Sequence, residues 1–301
     1  MITFKQLHYA LAIEKTLHFK KAAERCNISQ SALSTALNEL EKQLGVRIFE
    51  RDNKKVLVTP AGREVLNKAR SILLEVEELK HLADHRRTPL SYPMTVGSIP
   101  TIAPFLIPKM LPVLHKTHPQ ASINIIEDQS HVLVDLVRRG EIDTAILALP
   151  FECDGLLTLE FWQEDFYWVA PRGDDHTNQQ EITSDELHEC RLLLLQEGHC
   201  LKSHILEVCK FSDLTANQGF GATSLYTLIQ MVLGGLGTTL IPAMARESLI
   251  AQHDTLATVH LNEPGPHRRL AFILRPGFTR TPEIEALIRV CRSALTGDAR
   301  L

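Results

Sequence analysis

The chain has 301 residues, 44% of them hydrophobic, enough for about two domains with sizeable cores. It lacks the run of about 18 apolar residues that a membrane span needs, and Met1-Ile2-Thr3-Phe4-Lys5-Gln6 has no apolar leader, so no membrane contact and a cytoplasmic location are expected. The net charge of −4 is uneven: residues 1–60 hold ten Lys/Arg against six Asp/Glu, and the remainder 22 against 30, which confines any nucleic-acid contact to the N-terminal part.

Phe4, Leu7, Ala10, Leu11 and Ile13 have helical spacing and predict a first helix. Phe19 to Cys26 reads as a second, with Ala22 and Ala23 small enough for close packing. Asn27-Ile28 makes a turn, and Ser29 caps a third helix from Gln30 to Leu44. Leu33, Leu37, Leu40 and Leu44 form its buried stripe, and Gly45 stops it. Val46–Phe49 and Lys55–Val58 read as two short strands around the turn Arg51-Asp52-Asn53-Lys54. This order is that of a winged helix-turn-helix. Ser29, Gln30, Ser31, Ser34, Thr35 and Asn38 supply short polar groups for the major groove, and Arg51, Lys54 and Lys55 supply phosphate contacts at the wing. The alternative is a small helical bundle with polar faces; the alanine pair, the turn and the basic wing in one order favour DNA.

Thr59-Pro60 opens a long helix, an N-cap followed by proline at the first helical position. Val65, Ala69, Ile72, Leu73, Val76, Leu79 and Ala83 run along one face to about His85, the pattern of a coiled-coil dimer; packing onto the protein's own body is the alternative. Asp84 to Pro93 is polar with two prolines and reads as a linker. The expected division is a DNA-binding domain over 1–59, a dimerisation helix over 60–90 and a regulatory domain over 91–301.

From Met94 strands and helices alternate. Met94–Ser98, Ile123–Ile126, Thr144–Leu149, Phe166–Ala170, Leu192–Leu195, Thr238–Ile241 and Leu270–Leu274 read as strands. Thr101 to about Lys116, His131–Arg139, Ser224–Leu233 and Pro282–Leu295 read as helices. Such alternation predicts an α/β fold with mainly parallel sheets. The six cysteines are Cys26, Cys153, Cys190, Cys200, Cys209 and Cys291; in a reducing compartment they are free thiols. Cys200 and Cys209 stand out. They bracket one helix-like stretch, and His199 adjoins the first. A thiolate is the reactive form, and a helix N-terminus at Cys200 predicts a lowered thiol pKa.

The chain resembles the LysR-type transcriptional regulators. The residues that carry the likeness are Ala22-Ala23-Glu24, Ser29-Gln30-Ser31-Ala32-Leu33-Ser34, Leu40-Glu41-Lys42-Gln43-Leu44-Gly45, Phe49-Glu50-Arg51, Thr59-Pro60-Ala61-Gly62 and Gly140-Glu141-Ile142-Asp143. The resemblance implies a winged-helix head, a dimerising linker helix and a regulatory body of two α/β subdomains like a periplasmic binding protein. Ile99-Pro100-Thr101, Gly198-His199-Cys200-Leu201, Cys209, Ala222-Thr223-Ser224-Leu225, Arg268-Arg269 and Arg275-Pro276-Gly277 are similar to the family's hydrogen-peroxide sensors. That likeness implies Cys200 as the peroxidatic thiol, Cys209 as its disulfide partner, and a pocket of Thr101, Ser130, His199, Ser203 and Arg269. It further implies double-stranded promoter DNA, RNA polymerase and a glutaredoxin- or thioredoxin-type reductant as partners, homodimers or homotetramers, and no metal or cofactor. Two positions depart from the sensor pattern: Ser203 stands in place of an aspartate, and Ser130-His131 in place of a threonine and a histidine.

If residues 201–209 are helical, nine residues separate the two cysteines by about 13.5 Å along the axis, whereas a disulfide needs Cα atoms within about 7 Å. Bond formation then requires the segment to unwind, a route from thiol chemistry to a change of shape. Three other readings stay open: zinc held by Cys200 and His204 at i,i+4, a regulator responding to a small metabolite between subdomains, and a thiol peroxidase. Other enzyme classes lack a phosphate loop or paired-carboxylate motif here.

Overall fold

The computed structural model describes residues 1–52, 55–82, 89–211 and 221–297, and the chain divides into Met1–Arg86 and Arg87–Leu301. In the first unit, α1 (Phe4–Thr16), α2 (Phe19–Arg25) and α3 (Gln30–Leu44) precede β1 (Phe49–Asp52), β2 (Lys55–Val58) and the long α4 (Pro60–Leu82). Thr3 and Gln6 form a capping box on α1, and Ser29 Oγ accepts from Ala32 N at 3.2 Å to start α3. Leu7, Ala10, Ile13, Ala22, Ala23, Leu33, Leu37 and Leu40 make the core, closed by Ile48, Phe49, Leu66 and Ala69. The first wing strand begins at Phe49, three residues later than expected. The Glu41 carboxylate accepts from Ile48 N at 2.7 Å and Phe49 N at 3.1 Å, which ties the chain just before and at the start of the strand to α3. Phe49 then pairs with Val58 and Asp52 with Lys55 in an antiparallel ribbon. Thr59 Oγ1 accepts from Gly62 N at 2.8 Å and caps α4. Gly62 is obligatory: a Cβ there would lie 2.1 Å from the Ile48 carbonyl oxygen. The early turns of α4 bury Leu66 and Ala69, whereas Leu79 further along is 65% exposed. Residues 83–88, where the sequence puts the helix end and part of the linker, lie outside the described residues.

The second unit contains β3 (Met94–Ser98), α5 (Ala103–Thr117), β4 (Ile123–Glu127), α6 (Ser130–Arg139), β5 (Thr144–Leu149) and β6 (Leu157–Glu164). After them come β7 (Phe166–Pro171), β8 (Glu181–Ile182), α7 (Ser184–Leu187), β9 (Leu194–Leu195), α8 (Cys200–Val208), β10 (Gly221–Ala222) and α9 (Leu225–Leu233). β11 (Thr239–Pro242), α10 (Ala243–Ile250), β12 (Leu256–Leu261), β13 (Arg268–Leu274) and α11 (Thr281–Thr296) complete it. One subdomain is built on a five-stranded sheet of order β4-β3-β5-β13-β6, the other on a four-stranded sheet of order β11-β7-β12-β8.

The sheets are mixed, which corrects the expectation of mainly parallel ones. β3 is parallel to both neighbours, but β13 inserts antiparallel between β5 and β6, and β7 is antiparallel to β11 and β12. The chain crosses between subdomains twice, at Asp165 and again between β12 and β13. Such returns bring distant strands together, and local alternation carries no record of them. The crossovers are joined where Phe166 N donates to His267 Nδ1 at 2.9 Å. No helix among the described residues is long and apolar enough to cross a membrane.

Candidate functional site

Two helices begin at one thiol, and a buried arginine that acts on it also holds the turn before a third. Cys200 is the first residue of α8, Ser130 the first of α6, and Thr101 sits in the turn two residues before α5, not within the helix as expected. All three are buried, at 6%, 1% and 2% exposure. Unpaired N–H groups at helix starts present positive partial charge, so the arrangement favours an anion at the sulfur. Gly198 sets up the turn into α8. Its φ is +93°, a backbone angle that residues with a Cβ rarely adopt, so glycine suits the turn, which closes against the Gln129 side chain just before α6.

The cation of the pocket is Arg268, which the sequence reading passed over in favour of Arg269. Adjacent strand residues point to opposite faces. Arg268 is fully buried, with Nε 2.7 Å from Glu164 Oε1, Nη1 3.2 Å from Thr101 Oγ1 and Nη2 3.2 Å from the Thr101 carbonyl. Glu164 Oε2 accepts from Met244 N at 2.8 Å. One ion pair thus links the start of α5, the last residue of β6 and the start of α10. Arg269 points the other way and pairs with Glu160 at 2.7 Å, 43% exposed. The alternation of β13 was the available signal, but Leu270, Ala271, Phe272 and Ile273 are all apolar, so hydropathy did not mark the inner face.

Ser203 is also corrected. It is exposed, and its neighbour His204 is the buried residue, at 2%. His204 lies one turn after Cys200, the i,i+4 face partner. Its Nε2 is 2.8 Å from the Pro150 carbonyl oxygen, so one of its two ring nitrogens is engaged. Among the described residues no three His, Cys, Asp or Glu side chains gather to hold a metal. His199 is half-buried at the N-cap of α8 with no side-chain capping bond, and burial lowers its pKa, so it is a neutral imidazole with one N–H to donate.

Burial pushes the Cys200 thiol up, contrary to the lowered pKa expected from its place at a helix start. Opposing it are the Ser130 hydroxyl, the Arg268 charge, and the backbone N–H groups of Cys200 and Leu201. The resting sulfur is therefore protonated, because desolvation outweighs four favourable but individually modest contacts. Those contacts gain weight as negative charge develops on sulfur during reaction. Ser130 Oγ is buried, makes no full hydrogen bond, and faces the thiol closely enough to favour its ionised form. At the other end of α8, Cys209 is 1% exposed, and burial together with the Glu263 charge pushes its thiol up to about 12. Both cysteines are free, at the first residue and the C-cap of one intact helix, a rise of about 13.5 Å.

In the head, Gln30, Ser31 and Thr35 are exposed on α3 and Ser34 is half-buried. The Ser29 hydroxyl caps the helix and lies 3.0 Å from Ser31 Oγ, so it is engaged locally. Arg51 lies on β1; its side chain and all of Lys54 fall outside the described residues.

A family model for the LysR substrate binding domain matches residues 87–296, and one for the bacterial regulatory helix-turn-helix protein, lysR family, matches residues 4–63. A probable hydrogen peroxide-inducible genes activator of Streptomyces viridosporus is 36% identical over 294 residues, covering 96% of this chain and 93% of the relative. The HTH-type transcriptional regulator EstR of Acinetobacter baylyi is 35% identical over 291 residues, covering 96% of each. A full-length OxyR variant from Pseudomonas aeruginosa has a solved structure similar at TM-score 0.80 and 34% identity, covering 97% of this chain and 98% of that one. Overall similarity is therefore nearly equal toward relatives of different names, and the pocket has to separate them. With the head and the regulatory body each matched along nearly their full length, the chain belongs to the LysR family of bacterial helix-turn-helix transcriptional regulators.

Proposed function

We propose that this regulator senses hydrogen peroxide and that Cys200 is the reacting thiol. The observation that carries the reading is a free Cys200 at a helix start with Ser130 and Arg268, the arginine that also holds Thr101, acting on it, and a second free thiol, Cys209, at the far end of the same helix. Attack on peroxide gives a sulfenic acid, which Cys209 condenses to a disulfide with loss of water. That bond requires α8 to unwind, since its ends are about 13.5 Å apart while it stands. Unwinding repacks the buried face of α8, Leu201, His204 and Ile205, and so alters the regulatory body.

The readout is binding to double-stranded promoter DNA. Gln30, Ser31, Ser34 and Thr35 read base edges, and Arg51 and Lys54 hold phosphates. The far end of α4, where Leu79 is exposed beyond the turns that pack on the head, pairs two copies into a homodimer, and dimers assemble as a homotetramer. RNA polymerase is the downstream partner, and a glutaredoxin- or thioredoxin-type reductant resets the thiols in the cytoplasm. The thiol is used as a switch, so each chain is oxidised once per signal and no turnover as an enzyme is expected.

The test is reduced protein treated with one equivalent of hydrogen peroxide, followed by disulfide mapping through alkylation and peptide mass spectrometry. A Cys200–Cys209 bond that dithiol reverses, that is lost in Cys200→Ser and that shifts the footprint on promoter DNA is the expected result. Unreacted Cys200 would refute peroxide sensing and leave a small metabolite between the subdomains as the effector.

A further inference from the structure

His204 has a ring nitrogen with nothing to do. Its Nε2 lies 2.8 Å from the Pro150 carbonyl, and a carbonyl only accepts, so Nε2 carries the hydrogen and Nδ1 presents a bare lone pair. Nδ1 is buried and has no partner. Burial holds the imidazole down at about 4, so the ring stays neutral and Nδ1 remains an acceptor at working pH. A buried acceptor left bare costs free energy and calls for a reason. His204 shares the inner face of α8 with Cys200, and the Arg268 charge acts on both. Ser130 Oγ, which acts on the same thiol, is likewise buried without a full hydrogen bond. The buried face of α8 thus carries an acceptor that cannot donate, and the start of α6 a hydroxyl that does either. Hydrogen peroxide fits both, because each of its oxygens donates one hydrogen bond and accepts others.

We propose that His204 Nδ1 accepts a hydrogen bond from the peroxide oxygen that Cys200 attacks, and so holds that oxygen against the sulfur. The inference rests on the peroxide reading above. In the step itself, Cys200 Sγ bonds to that oxygen and the O–O bond breaks. Sulfur is oxidised by two electrons and the peroxide is reduced. The attacked oxygen keeps its hydrogen, still directed at Nδ1, and becomes the hydroxyl of the sulfenic acid. The distal oxygen leaves with the O–O electron pair and takes the thiol proton to form water. His204 is neutral before and after.

The experiment uses the full chain carrying Cys209→Ser, in which the sulfenic acid persists, as parent for His204→Leu and His204→Gln. Leucine removes the acceptor; glutamine keeps both a donor for Pro150 and an acceptor. Two rate constants are measured: sulfenic acid formation by hydrogen peroxide, read by dimedone trapping and mass spectrometry, and Cys200 alkylation by iodoacetamide. The alkylating agent meets the same sulfur and needs no acceptor. In the leucine variant the peroxide rate falls about 10- to 100-fold, the scale of one lost hydrogen bond, while alkylation stays within about 2-fold. In the glutamine variant the peroxide rate returns to within about 3-fold of the parent. An unchanged peroxide rate in the leucine variant, or an equal fall in both reactions, overturns the proposal. Should the leucine chain fail to fold, His204→Met removes the same acceptor with a more adaptable side chain. A parent whose Cys200 is alkylated yet ignores peroxide overturns the peroxide reading itself, an outcome distinct from any difference among the variants.

Discussion

Two neighbouring arginines of β13 should differ several-fold in what they contribute to stability. Arg268 and Glu164 are 0% and 2% exposed and 2.7 Å apart. Replacing Arg268 by methionine keeps most of the apolar stem and removes the charge. The Glu164 carboxylate is then left buried, with Met244 N as its remaining donor in the pocket. Breaking such a pair by deleting one partner costs about 3–5 kcal/mol. Arg269 and Glu160 are also 2.7 Å apart, but 43% and 37% exposed, so water replaces the lost contact. Arg269→Met should cost about 0–1 kcal/mol. The double variant Arg268→Met with Glu164→Gln should be more stable than Arg268→Met alone, since no charge is then stranded. Urea unfolding of the full chain followed by tryptophan fluorescence reads this directly, because both tryptophans, Trp162 and Trp168, lie in the regulatory unit. Equal losses for the two arginines would refute the assignment of buried and exposed faces. A double variant no more stable than Arg268→Met would refute the stranded-charge argument.

Helix energetics should enter the redox equilibrium of α8. Ser203 is exposed there, and glycine and alanine at that position differ by about 1 kcal/mol in helix preference. If the disulfide form lacks the helix, Ser203→Gly makes disulfide formation easier and Ser203→Ala harder, with potentials about 20 mV apart in dithiol titration; identical potentials would mean that α8 survives oxidation. Acid stability should depend on His204, whose pKa is depressed to about 4 by burial. A histidine held neutral stabilises the fold fully above its ordinary value near 6.5, and that share, about 3 kcal/mol, is lost as pH falls from there toward 4. His204→Gln should flatten the unfolding free energy over that window, and an unchanged slope would place the effect elsewhere. On the alkaline side, burial raises Cys291 to about 12, so its share is present below pH 9 and lost as pH climbs toward 12; Cys291→Ala should reduce that loss in the same unfolding series. Leu79→Glu on α4 should yield monomers by analytical ultracentrifugation, and unaltered association would exclude this stripe as the dimer contact.

Much of the head was legible because its signals are local. Ser29, Thr59 and Gly45 mark helix ends through bonds or backbone angles that close within a few residues, and Leu33, Leu37 and Leu40 repeat at the helical period. The thiol pair was legible for the same reason: a histidine beside one cysteine and a helix-length gap to the next are properties of consecutive residues. The wing strand slipped by three positions because its start depends on Glu41, seven and eight residues back, accepting two backbone hydrogens.

The chemistry of the pocket was settled at longer range. Which of Arg268 and Arg269 faces the thiol depends on how β13 inserts between β5 and β6, strands more than a hundred residues earlier. That Ser203 is exposed and His204 buried depends on which side of α8 meets the β5 end at Pro150. The direction of the Cys200 shift follows from desolvation, a sum over every neighbour that displaces water, and no window of sequence contains that sum. The sequence by itself determined the helices of the head, the spacing of Cys200 and Cys209, and the α/β class of the body, since caps, periodicity and spacing act through neighbouring residues. Only the tertiary structure decided sheet direction, the buried cation and the protonation of the thiol, since burial and strand insertion are set by residues far apart in the chain.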